Sequence, residues 1–336
     1  LPKKTFVRIG GSWREVKNVW TRISGVWRQQ VVPNGRIGGI WKEFIQYILL
    51  FYNLIFTNEI GGTTHVVTCA IHSNNGNLYT GRSNGILERR SPTTGNVLSS
   101  TALALNDQAI RMVKFFGNNI YIAGSNGSYA YNASLGYIWR GESGGSGGDM
   151  HGIAPTQHFV FRVNSSGDWA KMSRVDGSLL FEVMSFATIL DIDANENFVI
   201  AGNNNNAILC DHNLNVVWNK AISARSVAID STNNVYCYDG NGTLRKYNAA
   251  GTLIWNVRPS TAGSIAGLKV STNGVYIISG ISRIDKLNPE NGSVIWNHAV
   301  STPNASTARC IDVNQTVSEQ SVYVGGTNVI TRLDQY

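Results

Sequence analysis

The 336-residue sequence predicts an all-β fold: a seven-bladed β-propeller of four-stranded antiparallel blades, preceded by a small arm of β-hairpins. Three observations carry that expectation. The composition suits strands and tight turns, since 10% of residues are aromatic, 35 are glycine and only 15% are charged. Aromatic and β-branched residues fit pleated surfaces, and Asn-Gly pairs fit hairpin turns. A strand motif recurs seven times at a spacing near forty residues, the period of a propeller blade. A second, shorter period of fourteen is confined to the first 45 residues.

The arm comes first. "VRIGGSWREV" (7–16), "TRISGVWRQQ" (21–30) and "GRIGGIWKEF" (35–44) place Trp13, Trp27 and Trp41 five residues after Arg8, Arg22 and Arg36 respectively. In each unit two short alternating runs flank Gly10-Gly11, Gly25 or Gly38-Gly39, residues that take positive φ without strain in a primed hairpin turn. Each unit therefore reads as a hairpin in which the arginine can lie across the tryptophan ring, worth about 0.5–1 kcal/mol at an exposed site. Hairpins of this size have little core, so they call for a partner surface or for copies of themselves; a small independent β-domain is the other reading. Charge marks the same segment. Residues 1–45 hold nine Lys and Arg against two Glu, a net +7, whereas residues 46–336 carry nineteen of each sign. The basic character of the chain is thus the arm's, and it suits nucleic acid, an anionic membrane or an acidic protein surface.

Residues 46–60 form a linker and a strand. The run "IQYILLFYNLIF" (45–56) contains Gln46 and Asn53 and is too short for a membrane span, so none is expected. No signal peptide is visible, although the sequence starts at Leu1 and upstream or processed residues stay open.

The propeller occupies residues 61–336. Its aromatic strands align on Tyr79, Tyr121, Val160, Val199, Tyr236, Tyr276 and Tyr323, at steps of 42, 39, 39, 37, 40 and 47 residues. Before each comes an apolar strand, such as "VVTCAI" (66) or "SVAID" (226). After it comes an alternating strand, such as "ILERRSP" or "TLRKYNAAG", and then a closing strand, such as "NVVWNK" or "GSVIWNH". Gly, Asn and Asp turns separate the four, as in an antiparallel blade. The seventh unit stops at "VITRLDQY" without its closing strand, while "YNLIFTNEI" (52–60) is a strand without a unit. Residues 52–60 are therefore expected to complete the seventh blade and close the ring. Trp139, Trp218, Trp255 and Trp296 recur at one place in the closing strands and are expected to pack between blades.

The pattern D-x-x-G-N-x-Y-x-G…K-x-D-x-x-G-x-x-x-W resembles, in weakened form, the repeats of pyrroloquinoline-quinone-type propellers. The resemblance implies the fold but not an activity, because such repeats also serve as scaffolds. The quinone dehydrogenases of that superfamily use vicinal cysteines, a calcium site with an aspartate base and typically eight blades. Here Cys69, Cys210, Cys237 and Cys310 are far apart and the units number seven, so no quinone or other cofactor is expected. The cysteines read as buried thiols. The six histidines show no zinc-ligand spacing, and no G-x-S-x-G elbow or phosphate loop is present. "DIDANEN" (191–197) starts like a calcium loop but has Glu196 where the sharp turn needs glycine, so it reads as a blade turn. "RGESGGSGGDMHG" (140–152) reads as a flexible connection, with a rim-binding loop as the alternative.

The arm resembles segments of bacteriophage tail proteins with repeats of the form V-x-V-G-G-x-W-K followed by V-x-V-x-G-x-W-K. The resemblance implies a non-enzymatic virion protein of the tail, fibre or baseplate. In that reading Arg8, Trp13, Arg22, Trp27, Arg36 and Trp41 dock on other virion proteins. The propeller binds a host-surface glycan or a protein, and the chain is a homo-oligomer in the particle. The alternatives are a cellular propeller scaffold for protein assembly and an enzyme acting on polysaccharide. Stacked Trp and Arg would also suit single-stranded nucleic acid, but regular Gly-Gly hairpins suit assembly as well, and no nucleic-acid partner is expected.

Overall fold

A computed structural model of the chain describes residues 5–9, 12–16, 19–23, 26–30, 52–59 and 66–335, apart from 73–74, 104–108, 142–148, 184–188, 204, 260–264, 280–282, 300–307, 316–319 and 327–328. The chain divides into two compact units, Leu1–Leu49 and Leu50–Tyr336.

In the first unit, Thr5–Ile9 pairs antiparallel with Ser12–Val16, and Val19–Ile23 with Val26–Gln30. The second hairpin repeats the first fourteen residues later. Ile9 is opposite Ser12 and Ile23 opposite Val26, which leaves two-residue connections at 10–11 and 24–25. The same register sets Arg8 opposite Trp13 and Arg22 opposite Trp27. The third repeat, with Arg36 and Trp41, lies outside the described residues, as do Gly10, Gly11 and Gly25.

The second unit is a ring of seven antiparallel four-stranded sheets. The first blade is built from Val66–Ile71, Leu78–Arg82, Ile86–Arg90 and Val97–Ala102, from the axis outward. Five more follow at 110–141, 150–183, 189–220, 224–257 and 265–299. The seventh takes Ala308–Gln315, Gln320–Gly326 and Val329–Gln335 from the chain's end and Tyr52–Glu59 as its outermost strand. Glu59 pairs with Val329 and Tyr52 with Gln335. Innermost strands of successive blades lie side by side all the way round, Ala308–Gln315 meeting Val66–Ile71.

The apolar core follows from this geometry. Each blade is sandwiched between two others, so a second strand such as Val235–Asp239 is buried on both faces, whereas outermost strands such as Leu253–Val257 are largely exposed. Buried residues fall into seven clusters, one per seam. One joins Tyr79 and Leu87 of the first blade to Ile120 and Tyr129 of the second. Another joins Tyr276 and Trp296 of the sixth to Val322 and Leu333 of the seventh. The last joins Cys310, Tyr323 and Ile330 of the seventh to Val66, Cys69 and Leu78 of the first. Stability is therefore spread over seams between neighbours, as in other repeat architectures.

Two register slips recur in every blade. The innermost strand carries a bulge near its start, at Val66/Thr68, Ile110/Met112, Met150/Gly152, Ile189/Asp191, Ala224/Ser226, Ile265/Gly267 and Ala308/Cys310. A second slip separates third from outermost strand, for example at Lys246/Tyr247 and Arg332/Leu333. An extra residue at a bulge bends the strand and increases local twist, which is what a sheet needs to fan out from a narrow axis.

Candidate functional site

The seven aligned positions all fall in second strands, and Tyr79, Tyr121, Val160, Val199, Tyr236, Tyr276 and Tyr323 are all buried. These are seam residues. The Tyr79 hydroxyl donates to the Ala133 carbonyl of the second blade at 2.7 Å, and that of Tyr323 to the Pro92 carbonyl of the first at 3.3 Å. The tryptophans act the same way. Trp139 Nε1 donates to the Arg174 carbonyl at 3.1 Å, Trp218 to Ala249 at 3.2 Å and Trp255 to Pro289 at 3.1 Å. Lys171 Nζ donates to the His212 carbonyl at 3.1 Å, and Arg332 Nη1 to Pro92 at 2.6 Å. Every acceptor lies in the turn between the third and outermost strands of the following blade. Six turns receive such a bond. The seventh blade has no such turn, because those two strands come from opposite ends of the chain. Trp296 packs on Tyr276 of its own blade, ring centroids 6.1 Å apart.

The turns are shaped to receive the tryptophans. Gly177, Gly251 and Gly292 have φ of 73°, 81° and 73°, and a Cβ there would meet the rings of Trp139, Trp218 and Trp255. Glycine supplies both the left-handed backbone and the space.

A channel of about 530 Å³ runs between the innermost strands. One register level within it carries Lys114, Asp193, Lys269 and Asp312, two charges of each sign. Lys269 Nζ lies 2.9 Å from Asp312 Oδ1, and Lys114 Nζ lies 3.8 Å from Asp193 Oδ1. Asp312 also accepts the Ile71 N–H through Oδ2 at 2.6 Å, so one carboxylate ties the sixth, seventh and first blades together. The Asp312 charge, outweighing burial, holds the Lys269 ammonium above its usual range. At one end Arg111 Nη2 meets Asp149 Oδ2 at 2.6 Å. These cations and carboxylates are neutralised against each other, which fits a braced, polar channel.

Among the described residues no group of three or more His, Cys, Asp and Glu is placed to hold a metal ion. The calcium-like stretch is spent on structure. Asp193 faces Lys114, and Asn195 Oδ1 accepts the N–H groups of Asn197 and Phe198, closing the turn. Of the glycine-rich stretch, 142–148 lies outside the described residues. All four cysteines are buried. His72 packs against Phe115 and Tyr79 at 4.9 and 6.1 Å, and burial lowers its pKa.

Ion pairs within third strands escaped the sequence reading. Arg90 Nη2 lies 2.7 Å from Glu88 Oε2, and Arg332 Nη2 donates to Asp334 Oδ2 at 2.7 Å, while Arg283 meets Asp285 at 3.2 Å. All are i, i+2 pairs, which share one face of a strand. The alternating "ERR", "RID" and "RLD" triplets in the third strands of three units were the available signal, although the register places them at different levels of the strand. On the same strands Lys246, Lys286 and Arg332 lie over the rings of Tyr236, Tyr276 and Tyr323 at 5.3, 5.3 and 5.7 Å.

Comparison with known proteins agrees with the ring. Residues 184–334, the fourth to seventh blades, match the family described as outer membrane protein assembly factor BamB. The fold is a seven-bladed propeller with repeats of that kind. The WD40 domain of Neurospora crassa Pan2 superposes with a TM-score of 0.72 at 11% identity, over 84% of this chain and 95% of that one. The computationally designed Ika8 protein superposes with a TM-score of 0.62 at 11% identity, over 83% of this chain and all of that one. At such identities the likeness concerns the fold alone. No curated protein matches in sequence.

Proposed function

We propose that the protein is a non-enzymatic structural protein of a bacteriophage virion, associated with the tail, fibre or baseplate. The arm, through Arg8, Trp13, Arg22, Trp27, Arg36 and Trp41, docks on acidic surfaces of other virion proteins. The propeller faces outward and binds a host-surface glycan or a protein. The observation that carries this reading is the segregation of charge. The full +7 sits on residues 1–45, a unit of its own with hairpins repeated every fourteen residues. Within the propeller's channel, by contrast, Lys114 pairs with Asp193 and Lys269 with Asp312. A basic, repeated hairpin module attached to a neutral ring separates attachment from recognition.

A cellular scaffold for protein assembly is the second reading, favoured by the match of residues 184–334 to the assembly-factor family. Deleting residues 1–45 is expected to abolish incorporation into phage particles, and unchanged incorporation overturns the docking role. Neighbouring tail genes support the virion, whereas neighbouring envelope-assembly genes support the scaffold. Release of reducing sugar from host surface polysaccharide by the purified protein overturns the non-enzymatic assignment.

A further inference from the structure

The seam between the seventh and first blades differs from the other six, because it joins the two ends of the propeller sequence. Two of the four thiols meet there. Cys69 and Cys310 lie on the adjacent innermost strands Val66–Ile71 and Ala308–Gln315 and belong to one buried cluster, 5% and 8% exposed. The Cys69 thiol donates to the Tyr323 carbonyl at 3.7 Å, and the neighbouring Cys310 helps to raise its pKa. A Cβ on Gly325 would come within 2.5 Å of Cys310 Sγ, so the glycine leaves room for that sulfur. Cys210 and Cys237 belong to two other seams and have no such neighbour in their clusters.

We propose that Cys69 and Cys310 form a redox-sensitive pair whose oxidation to a disulfide rivets the first blade to the seventh. Both residues line the channel. With a low-molecular-weight disulfide such as oxidised glutathione, one protein thiolate attacks an oxidant sulfur and releases a glutathione thiolate. The second protein thiolate displaces the other glutathione. One S–S bond forms and one breaks, and the two thiol protons end on two glutathiones. Burial, then Cys310, then Asp312, hold the Cys69 thiol well above its ordinary pKa. The reaction is therefore slow at neutral pH. In a reducing compartment the seam rests on packing, and in an oxidising one it is locked. This holds whichever partner the propeller binds.

The test is a thiol map of the full chain after incubation with oxidised glutathione, with alkylation under denaturing, non-reducing conditions. The expected result is a Cys69–Cys310 linked peptide, alkylated Cys210 and Cys237, and a Tm raised by about 5–10 °C that dithiothreitol reverses. Cys310→Ser should show no rise. If that variant fails to fold, the wild-type peptide map decides alone. Four alkylated thiols, glutathione adducts left on either residue, or a different pairing would overturn the pair. A link without a rise in Tm would overturn its role at the seam.

Discussion

Lys286 sits on the third strand of the sixth blade, 4% exposed and opposite Tyr276 in register. Burial brings its pKa down from 10.5 to about 8. Below pH 8 both folded and unfolded chains carry the proton, and burial disfavours the charged form in the folded chain. Between about 8 and 10.5 the unfolded chain binds more protons, so this residue makes stability rise with pH. Lys286→Met is therefore expected to stabilise the propeller at pH 7. The gain is about 1–2 kcal/mol once the lost contact with the Tyr276 ring is set against the relieved burial. The gain should shrink as pH rises through that window. Urea unfolding of both proteins at pH 7.5 and 9.5 checks this, and a constant difference would refute it. The comparison stops below pH 10, where burial of the Tyr276 hydroxyl, whose pKa is raised, begins to act in the opposite direction. Nothing in the sequence marked Lys286 as unusual, since lysine on an alternating strand ordinarily faces water. Its burial follows from the next blade covering that face. The tyrosine column was legible because its strands are apolar along their whole length.

At the scale of the element, the shared design is a donor on one blade reaching a turn on the next. Trp255 joins three interactions at one seam. Its indole donates to the Pro289 carbonyl, its ring meets Tyr236 at 5.9 Å, and Gly292 lies against its face. Trp255→Phe should keep the wedge and lose the hydrogen bond, costing about 1 kcal/mol, while Trp255→Ala should cost about 3–5 kcal/mol. Gly292→Ala attacks the same joint from the other side. Its Cβ would stand 2.7 Å from Val257 Cγ1 and 2.9 Å from Trp255 Cε3, at a φ of 73°. A cost of about 1–2 kcal/mol from the backbone alone is expected, with more from the clash. Thermal unfolding of the three variants checks the order: Ala at 255 worst, Phe mildest. The tryptophans were readable because each recurs as an Ile-Trp or Val-Trp pair in the closing strand of its unit. The bulges were not. Their extra residues, Val67, Arg111, His151, Leu190, Arg225, Ala266 and Arg309, are arginine at three places and four different types at the others, so no one type marks all seven. A bulge is a property of pairing between strands, and a single strand's sequence does not carry it.

For the whole molecule, closure depends on two short segments nearly three hundred residues apart. A missing strand at the end and a spare strand near residue 52 were together enough to place the join from sequence. The braces on it, Asp312 between Ile71 and Lys269 and Arg332 reaching Pro92, arise only once the ring brings them together. Tyr52–Glu59 covers the outer edge of Val329–Gln335, which would otherwise present unpaired backbone groups to any passing strand. A protein starting at residue 50 should thus keep the amides of Val329–Gln335 protected. One starting at residue 61 should exchange the amides of Val329–Gln335 rapidly and self-associate through that edge. The seventh blade's seams to the sixth and first should loosen with it, because Leu333 and Ile330 of that strand sit in those two clusters. The fourth blade, three seams away in one direction and four in the other, should keep its protection, since each blade leans only on its neighbours. Hydrogen exchange of the two proteins, with sedimentation to detect association, separates this from global unfolding. Uniform loss of protection in all seven blades would mean that the ring behaves as a single cooperative unit, which neighbour-by-neighbour packing does not predict.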